Sequence, residues 1–486
     1  MSDDAFSPGP ASGLAAAVEC LGLTAAFAVA LLVAPAFGGL VTSLAPVLAA
    51  LVISGLSIAY GRAVSPFLHL PARAPRLLPW VIVGYGSASL VHLSATALLN
   101  LTALWALPVD VAVAVAAEWV SRRRRVRHEE RTADPAGTSR AITEVVVLLA
   151  CAALAAFWAR ETITAVPHAV ATGIFPAWQD YFLHAAEISY VRDYPAFERH
   201  SQYLTSIAQP LYHRGSYALP ALMSAIGDMP SLGMATAYWL PTGLLLAMCA
   251  TYVFGAALGG PVVGVGALAA VFLVPDASAY GFENRFLSFH WLMQMAAGSG
   301  YALALVMLAL TAIVTAAPRH TTRAMLIAFA LVAASAGFRV HIALLAGGTL
   351  CWMVVLAWRP RVTLRSAFWM LGAALILGGA LFWMESVALA PHFLTGRSHP
   401  VLFFLSIHTQ ASDLASPYVG WTANRSDTWK VALGFAMMLV AGCGASLGVL
   451  TAAWPTGVLT RMGWPWFAHS TASTFDMCAM AAFDTL

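Results

Sequence analysis

Apolar residues run along this chain in long, nearly unbroken stretches, and the polar residues gather in the gaps between them. Gly13 to Val33, Val41 to Tyr60, Ala141 to Ala159 and Val431 to Leu450 are four such stretches. Each is near the roughly 20 helical residues that cross about 30 Å of hydrocarbon. The pattern predicts twelve spans, at 13–35, 40–60, 78–98, 102–120, 141–159, 234–254, 261–275, 297–317, 324–338, 341–358, 366–386 and 430–453. The expected fold is all-α: a polytopic transmembrane helical bundle. Asp3 and Asp4, not a basic segment, precede the first run, so it reads as a retained helix and not as a signal peptide.

Composition supports the same solvent. Sixty per cent of the 486 residues are hydrophobic and ten per cent are charged, against about 25% charged in soluble domains. The six cysteines stand singly, mostly in apolar runs, and read as small buried hydrophobes. Abundant Ala, Gly and Val, with 24 Arg and one Lys, suggest a GC-rich bacterial genome.

Charge then orients the bundle. Arg62, Arg73, Arg76, Arg122 to Arg125, Arg319, Arg323, Arg359, Arg361 and Arg365 all fall in short connections on one side of the twelve-span count. With Arg127, Arg131, Arg140 and Arg461 that side holds 16 of the 25 basic residues, so the positive-inside rule makes it cytoplasmic. The expectation is a multi-pass protein of the bacterial inner (plasma) membrane with both termini cytoplasmic. Long connections at about 160–231, 276–296 and 387–429 lie on the other side and carry most of the histidines. Loops longer than connection requires usually carry function.

The first long connection contains an amphipathic stretch. Trp178, Tyr181, Phe182, Ala185 and Ile188 recur at helical spacing, and Asp180, His184 and Glu187 recur on another face. This predicts a short helix on the outer membrane surface, its apolar face in lipid or against the bundle. Asp180 and His184 could deprotonate an acceptor hydroxyl or hold a divalent cation, Mg or Mn; an ordinary solvated polar face is the plain alternative. His213, Arg214 and Tyr217 precede a new apolar stretch and could bind phosphate or sugar, or merely anchor the interface. In the second long connection Asp276, Glu283, Asn284, Arg285 and His290 form a polar cluster or a hydrated turn.

Gly337-Phe-Arg-Val-His341 separates two short apolar runs. Fifteen helical residues rise only about 22 Å, so Arg339 and His341 are expected at or below the outer boundary. An arginine there serves a cavity or a headgroup, or it snorkels. No P-loop, GxGxxG, HExxH or GxSxG is present. Glu19, Asp110 and Glu144 are the charged residues deepest in the spans. Proton-coupled transporters carry polar pairs near the midplane, so this sparse set argues against transport.

The arrangement of spans, large first outer loop, Asp180-x-x-x-His184 and Tyr212-His-Arg-Gly-Ser-Tyr217 resembles the GT-C superfamily of lipid-linked-sugar glycosyltransferases. The resemblance covers about 141–430. It implies a GT-C-like module over 141–453, with short amphipathic helices in its first extracytoplasmic loop. N-terminal helices and a basic cytoplasmic loop (1–140) would precede it, and a short tail (454–486) would follow. It also implies transfer of a sugar from a polyprenyl-phosphate donor to a glycan, lipid or protein acceptor in the cell envelope. Asp180 would be the base, His184 its partner, Asp276 or Glu283 a second carboxylate. Arg339, His341, His213, Arg214, Tyr217 and His290 would bind substrate. A lipid-linked-saccharide carrier or flippase and a structural assembly subunit are the competing classes. Membrane lipid is an expected partner and nucleic acid is not.

The orientation is testable by cysteine labelling in a cysteine-free background. A membrane-impermeant thiol reagent applied outside should modify a probe at position 201 and miss one at position 132. The reverse pattern would invert the topology.

Overall fold

The computed structural model describes residues 10–68, 70–71, 74–125, 137–177, 180–194, 214–273, 293, 298–316 and 321–339, with 342–343 and 346–347. Every regular element among them is helical. The chain divides into two compact units, Met1–Ala270 with Gln294–Gly378, and Val271–Met293 with Gly379–Leu486. Nearly all described residues belong to the first unit.

Six helical stretches are long and apolar enough to cross a membrane: Val18–Phe37, Ala45–Leu68, Leu78–Leu98, Ala103–Ser121, Ser139–Trp158 and Ser231–Gly259. The protein is therefore a helical membrane protein. Three shorter apolar helices, Pro261–Phe272, Gly298–Val314 and Thr322–Ala336, coincide with further expected spans. The expected spans at 341–358, 366–386 and 430–453 lie wholly or mostly outside the described residues.

The helices are α1 (Pro10–Phe37), α2 (Ala45–Val64), α3 (Leu78–Leu98), α4 (Ala103–Arg125) and α5 (Gly137–Trp158). Short helices α6 (Arg160–Ile163), α7 (Ala165–Thr172), α8 (Asp180–Asp193) and α9 (Gly215–Gly227) occupy the first long connection. Then follow α10 (Ser231–Met234), a π-helical turn (Ala235–Trp239), α11 (Leu240–Gly259), α12 (Pro261–Phe272), α13 (Gly298–Val314) and α14 (Thr321–Ala336). Proline stands in the first turn of α2, α3 and α11, where its missing N–H is no loss. The π turn ends just before Pro241.

Almost every residue of α11 is buried, so α11 is the central post. By contrast α1, α4, α5 and α12 leave Leu21, Trp105, Val115, Trp119, Ile142, Phe157 and Val262 exposed. That is the pattern expected when lipid is the solvent.

α2 and α3 pack antiparallel at very short range. A side chain on Gly84 would collide with the Ser57 carbonyl, and one on Gly61 with the Trp80 carbonyl. Without a hydrophobic force between helices in lipid, such small-residue contacts carry the packing.

Two acidic residues expected deep in spans serve the arginine-rich end. The buried Glu144 of α5 accepts the backbone N–H groups of Arg76 (2.8 Å), Leu77 (2.6 Å) and Leu78 (3.1 Å). These are donors that the first turn of a helix cannot satisfy internally, so Glu144 caps α3 from a neighbouring helix. Glu19 of α1 pairs with Arg76. Both carboxylates fasten the start of α3. Cys151 and Cys249 are buried free thiols, as the apolar surroundings of those residues suggest.

The glycine contact makes a direct prediction. Gly84→Val should force α2 and α3 apart and destabilise by at least the roughly 1–3 kcal/mol typical of overpacking. The check is the thermal unfolding midpoint in detergent; an unchanged midpoint would mean that the helix contact is not tight.

Candidate functional site

The site is built at the end of the bundle where α3 ends and α4 begins, from α8, α9, the π turn and the tip that follows α14. α8 starts at Asp180, as the helical spacing predicts, but its faces are not disposed as expected. Tyr181, Ala185, Ile188 and Val191 are buried, whereas Phe182 and Leu183 are exposed. His184 and Glu187, expected on another face, lie half-buried beside the inward residues. The reason lies in the neighbours: Tyr217 and Trp239 draw His184 inward, and Arg214 draws Glu187.

His184 Nδ1 and the Tyr217 hydroxyl of α9 share a hydrogen bond of 2.8 Å. The imidazole also packs on Trp239, the last residue of the π turn, with ring centroids 4.3 Å apart, and Tyr217 packs on the same indole at 5.2 Å. Tyr181 meets His184 edge-on at 6.1 Å. Burial holds the Tyr181 hydroxyl above the usual tyrosine range, so it stays protonated. π turns often accompany functional sites, and this one delivers Trp239 to the histidine.

One helical turn beyond His184, Glu187 faces Arg214, whose Nε lies 3.8 Å from the carboxylate. Arg214 is 2% exposed, and its guanidinium carbon sits 5.0 Å from the Tyr190 ring centre. Farther along α8, Arg192 reaches Ser224 of α9 at 3.3 Å. The two short helices are thus tied at three points, one of them just before α9 begins. Arg192 also chelates Asp193, and that contact holds the Asp193 carboxyl below its usual range.

The tip after α14 closes the site. The Gly215 N–H donates to the Gly337 carbonyl at 3.0 Å. A Cβ on Gly215 would lie 2.6 Å from that same oxygen, so only glycine admits the approach. Phe338 is fully buried and stacks on Tyr301 of α13 at 6.0 Å with the rings nearly parallel. The Tyr301 hydroxyl in turn donates to the Trp239 carbonyl at 2.7 Å. Leu90 of α3 sits against Gly337. Leu90 is eight residues from the end of α3, so the tip lies about 12 Å in from that end. Arg339 follows directly, half-exposed.

The structure therefore brings together His184, Tyr217, Arg214 and the segment bearing Arg339, with Asp180 one turn from His184. Arg214 and Tyr217 are interior groups and not surface anchors. Glu187 and Trp239 join the site; Glu187 was legible on the helix face, whereas nothing in the sequence singled out Trp239. Asp276, Glu283, His290, His213 and His341 lie outside the described residues. Among the described residues no group of three or more His, Cys, Asp or Glu could hold a metal ion. Asp180 and His184 alone make an incomplete set, and no cation is assigned to them.

One further pair corrects the sequence reading. His92 of α3 and Asp110 of α4 meet at 2.6 Å, both fully buried among the spans. It adds a paired polar group inside the spans, which counts against the sparseness that the sequence reading set against transport.

Compared with protein-family models, curated proteins and solved structures, the chain gives no match.

Removing the charge opposite a buried arginine should be felt. Glu187→Gln is expected to destabilise by about 1–3 kcal/mol, short of the 3–5 typical when a fully buried pair loses one partner, because Glu187 keeps some solvent contact. Thermal unfolding of the purified variant measures it, and an unchanged midpoint would dissolve the pair as a structural element.

Proposed function

We propose that the protein is a membrane glycosyltransferase that moves a sugar from a polyprenyl-phosphate donor to an acceptor on the extracytoplasmic face. The observation that carries this reading is the Gly215–Gly337 bond. It ties the residue after Arg214 to the tip that bears Arg339, and so gathers two cationic residues from distant parts of the chain. An ionisable residue held inside a membrane protein points to function by default. Guanidinium groups suit phosphate, which they bind through paired hydrogen bonds.

In the reaction an acceptor hydroxyl gives its proton to a carboxylate as its oxygen bonds to the anomeric carbon. The bond from that carbon to the phosphate oxygen breaks, and the electron pair leaves with the phosphate. Arg339 and Arg214 stabilise the charge that builds there. Asp180 is the proposed base, with His184 positioned beside it by Tyr217 and Trp239. Glu187, already opposite Arg214, is the alternative base. A carrier or flippase for a lipid-linked saccharide is the second reading, favoured by the His92–Asp110 pair.

The experiment is transfer from a radiolabelled polyprenyl-phosphate sugar by purified protein in lipid. Asp180→Asn should lower turnover by about 100- to 10,000-fold, the usual contribution of a general base, with the folded yield intact. Arg339→Lys should weaken donor binding, and Arg339→Ala more so. If Asp180→Asn is fully active and Glu187→Gln is not, the base is Glu187. Movement of labelled lipid across vesicles without transfer would replace the enzyme by the carrier.

A further inference from the structure

The pair formed by His92 and Asp110 lies outside the site above and joins α3 to α4. His92 lies six residues from the end of α3 and Asp110 seven residues into α4, each about 10 Å in from that end. The side chains are 0% and 2% exposed. Tyr60 of α2 donates its hydroxyl to the Asp110 carbonyl at 2.9 Å. This bond pins α4 to α2 and fixes where the carboxylate stands.

The 2.6 Å contact uses His92 Nδ1 and Asp110 Oδ2. The two remaining atoms, His92 Nε2 and Asp110 Oδ1, are buried and hydrogen-bond to no other group among the described residues. Ser89 Oγ, one turn before His92 on the same face of α3, is in the same condition. Buried polar atoms left so call for an explanation. The charges supply one. A neutral imidazole donating Nδ1–H to an ionised carboxylate leaves the pair at net −1 inside the membrane, which is expensive. One added proton makes the pair neutral. The atoms open to receive it are Nε2, giving imidazolium beside carboxylate, and Oδ1, giving imidazole beside carboxylic acid.

We propose that His92 and Asp110 form a proton-binding site within the membrane-spanning helices, taking up one proton on Nε2 or Oδ1 and releasing it again. The site is independent of the sugar-transfer reading. Neighbouring elements carry their own charged pairs: Arg62 with Glu118 at 3.3 Å, Arg214 with Glu187, and Arg192 with Asp193. Asp180 and His184 stand on α8. The elements packed against α3 and α4 carry the hydroxyls of Tyr60 (α2), Tyr217 (α9), Tyr301 (α13) and Tyr252 (α11), with Tyr85 on α3 itself and the Cys249 thiol on α11. Of these, Tyr60 is bonded to Asp110, through its backbone carbonyl.

The test is difference infrared spectroscopy of the full chain in phosphatidylcholine vesicles, stepped from about pH 9 to about pH 5. Histidine-linked sites titrate in that range and exposed carboxylates largely do not. The wild type should show a protonation signal that disappears in Asp110→Asn and shifts its midpoint in His92→Gln. A wild-type spectrum without such a signal overturns the proposal, as does a signal that survives Asp110→Asn unchanged. If Asp110→Asn fails to fold, dicyclohexylcarbodiimide assigns the signal in the wild type, since it reacts with protonated carboxyl groups from the lipid phase. Labelling of Asp110 that slows as pH rises supports the site; Asp110 left unlabelled, or labelled equally at every pH, overturns it.

Discussion

The contact between the Gly215 amide and the Gly337 carbonyl is the joint on which the candidate site depends. Both partners are backbone, and both belong to segments that interrupt helices. Inside a membrane such groups must find partners within the protein, and here each satisfies the other. The bond seats the start of α9 against the tip. From it Phe338, Tyr301, Trp239, His184 and Tyr217 follow as one connected series of contacts. Arg214 is buried for the same reason: its neighbour is committed to the tip, and Glu187 and Tyr190 close over it.

The sequence was legible where hydrophobicity alone decides. The first six expected spans and three shorter ones find helices close to the expected positions, because run length measures the membrane directly. The helix at Asp180 was legible too. Which of its faces points inward was not. Periodicity reports that a helix has two faces, and the usual inference about them assumes water outside. Phe182 remains exposed while His184 turns in to Tyr217. Trp239 was hidden for another reason: it lies in a run of apolar residues, and only a π turn and Tyr301 give it a role.

The charges of this chain divide by task according to their partners. Glu144 and Glu19 appear in sequence as costly carboxylates inside apolar runs, yet each fastens the start of α3. Asp110 looks the same in sequence and is different, since its partner is a histidine 18 residues away on the preceding helix. No local pattern separates these cases. The distinction lies in what the neighbouring helix offers: backbone donors at a helix end, an arginine, or a second titratable ring.

The glycines between α2 and α3 also bear on the order in which the chain is made. Gly61, Gly84 and His92 are all synthesised before Asp110, so the α2–α3 hairpin can close while the imidazole still has no carboxylate. At about 5–20 residues per second the ribosome delivers Asp110 roughly one to four seconds after His92. The close contacts at Gly61 and Gly84 involve α2 and α3 alone, so they need nothing from α4. What α4 adds to that hairpin is the carboxylate with which the ring pairs.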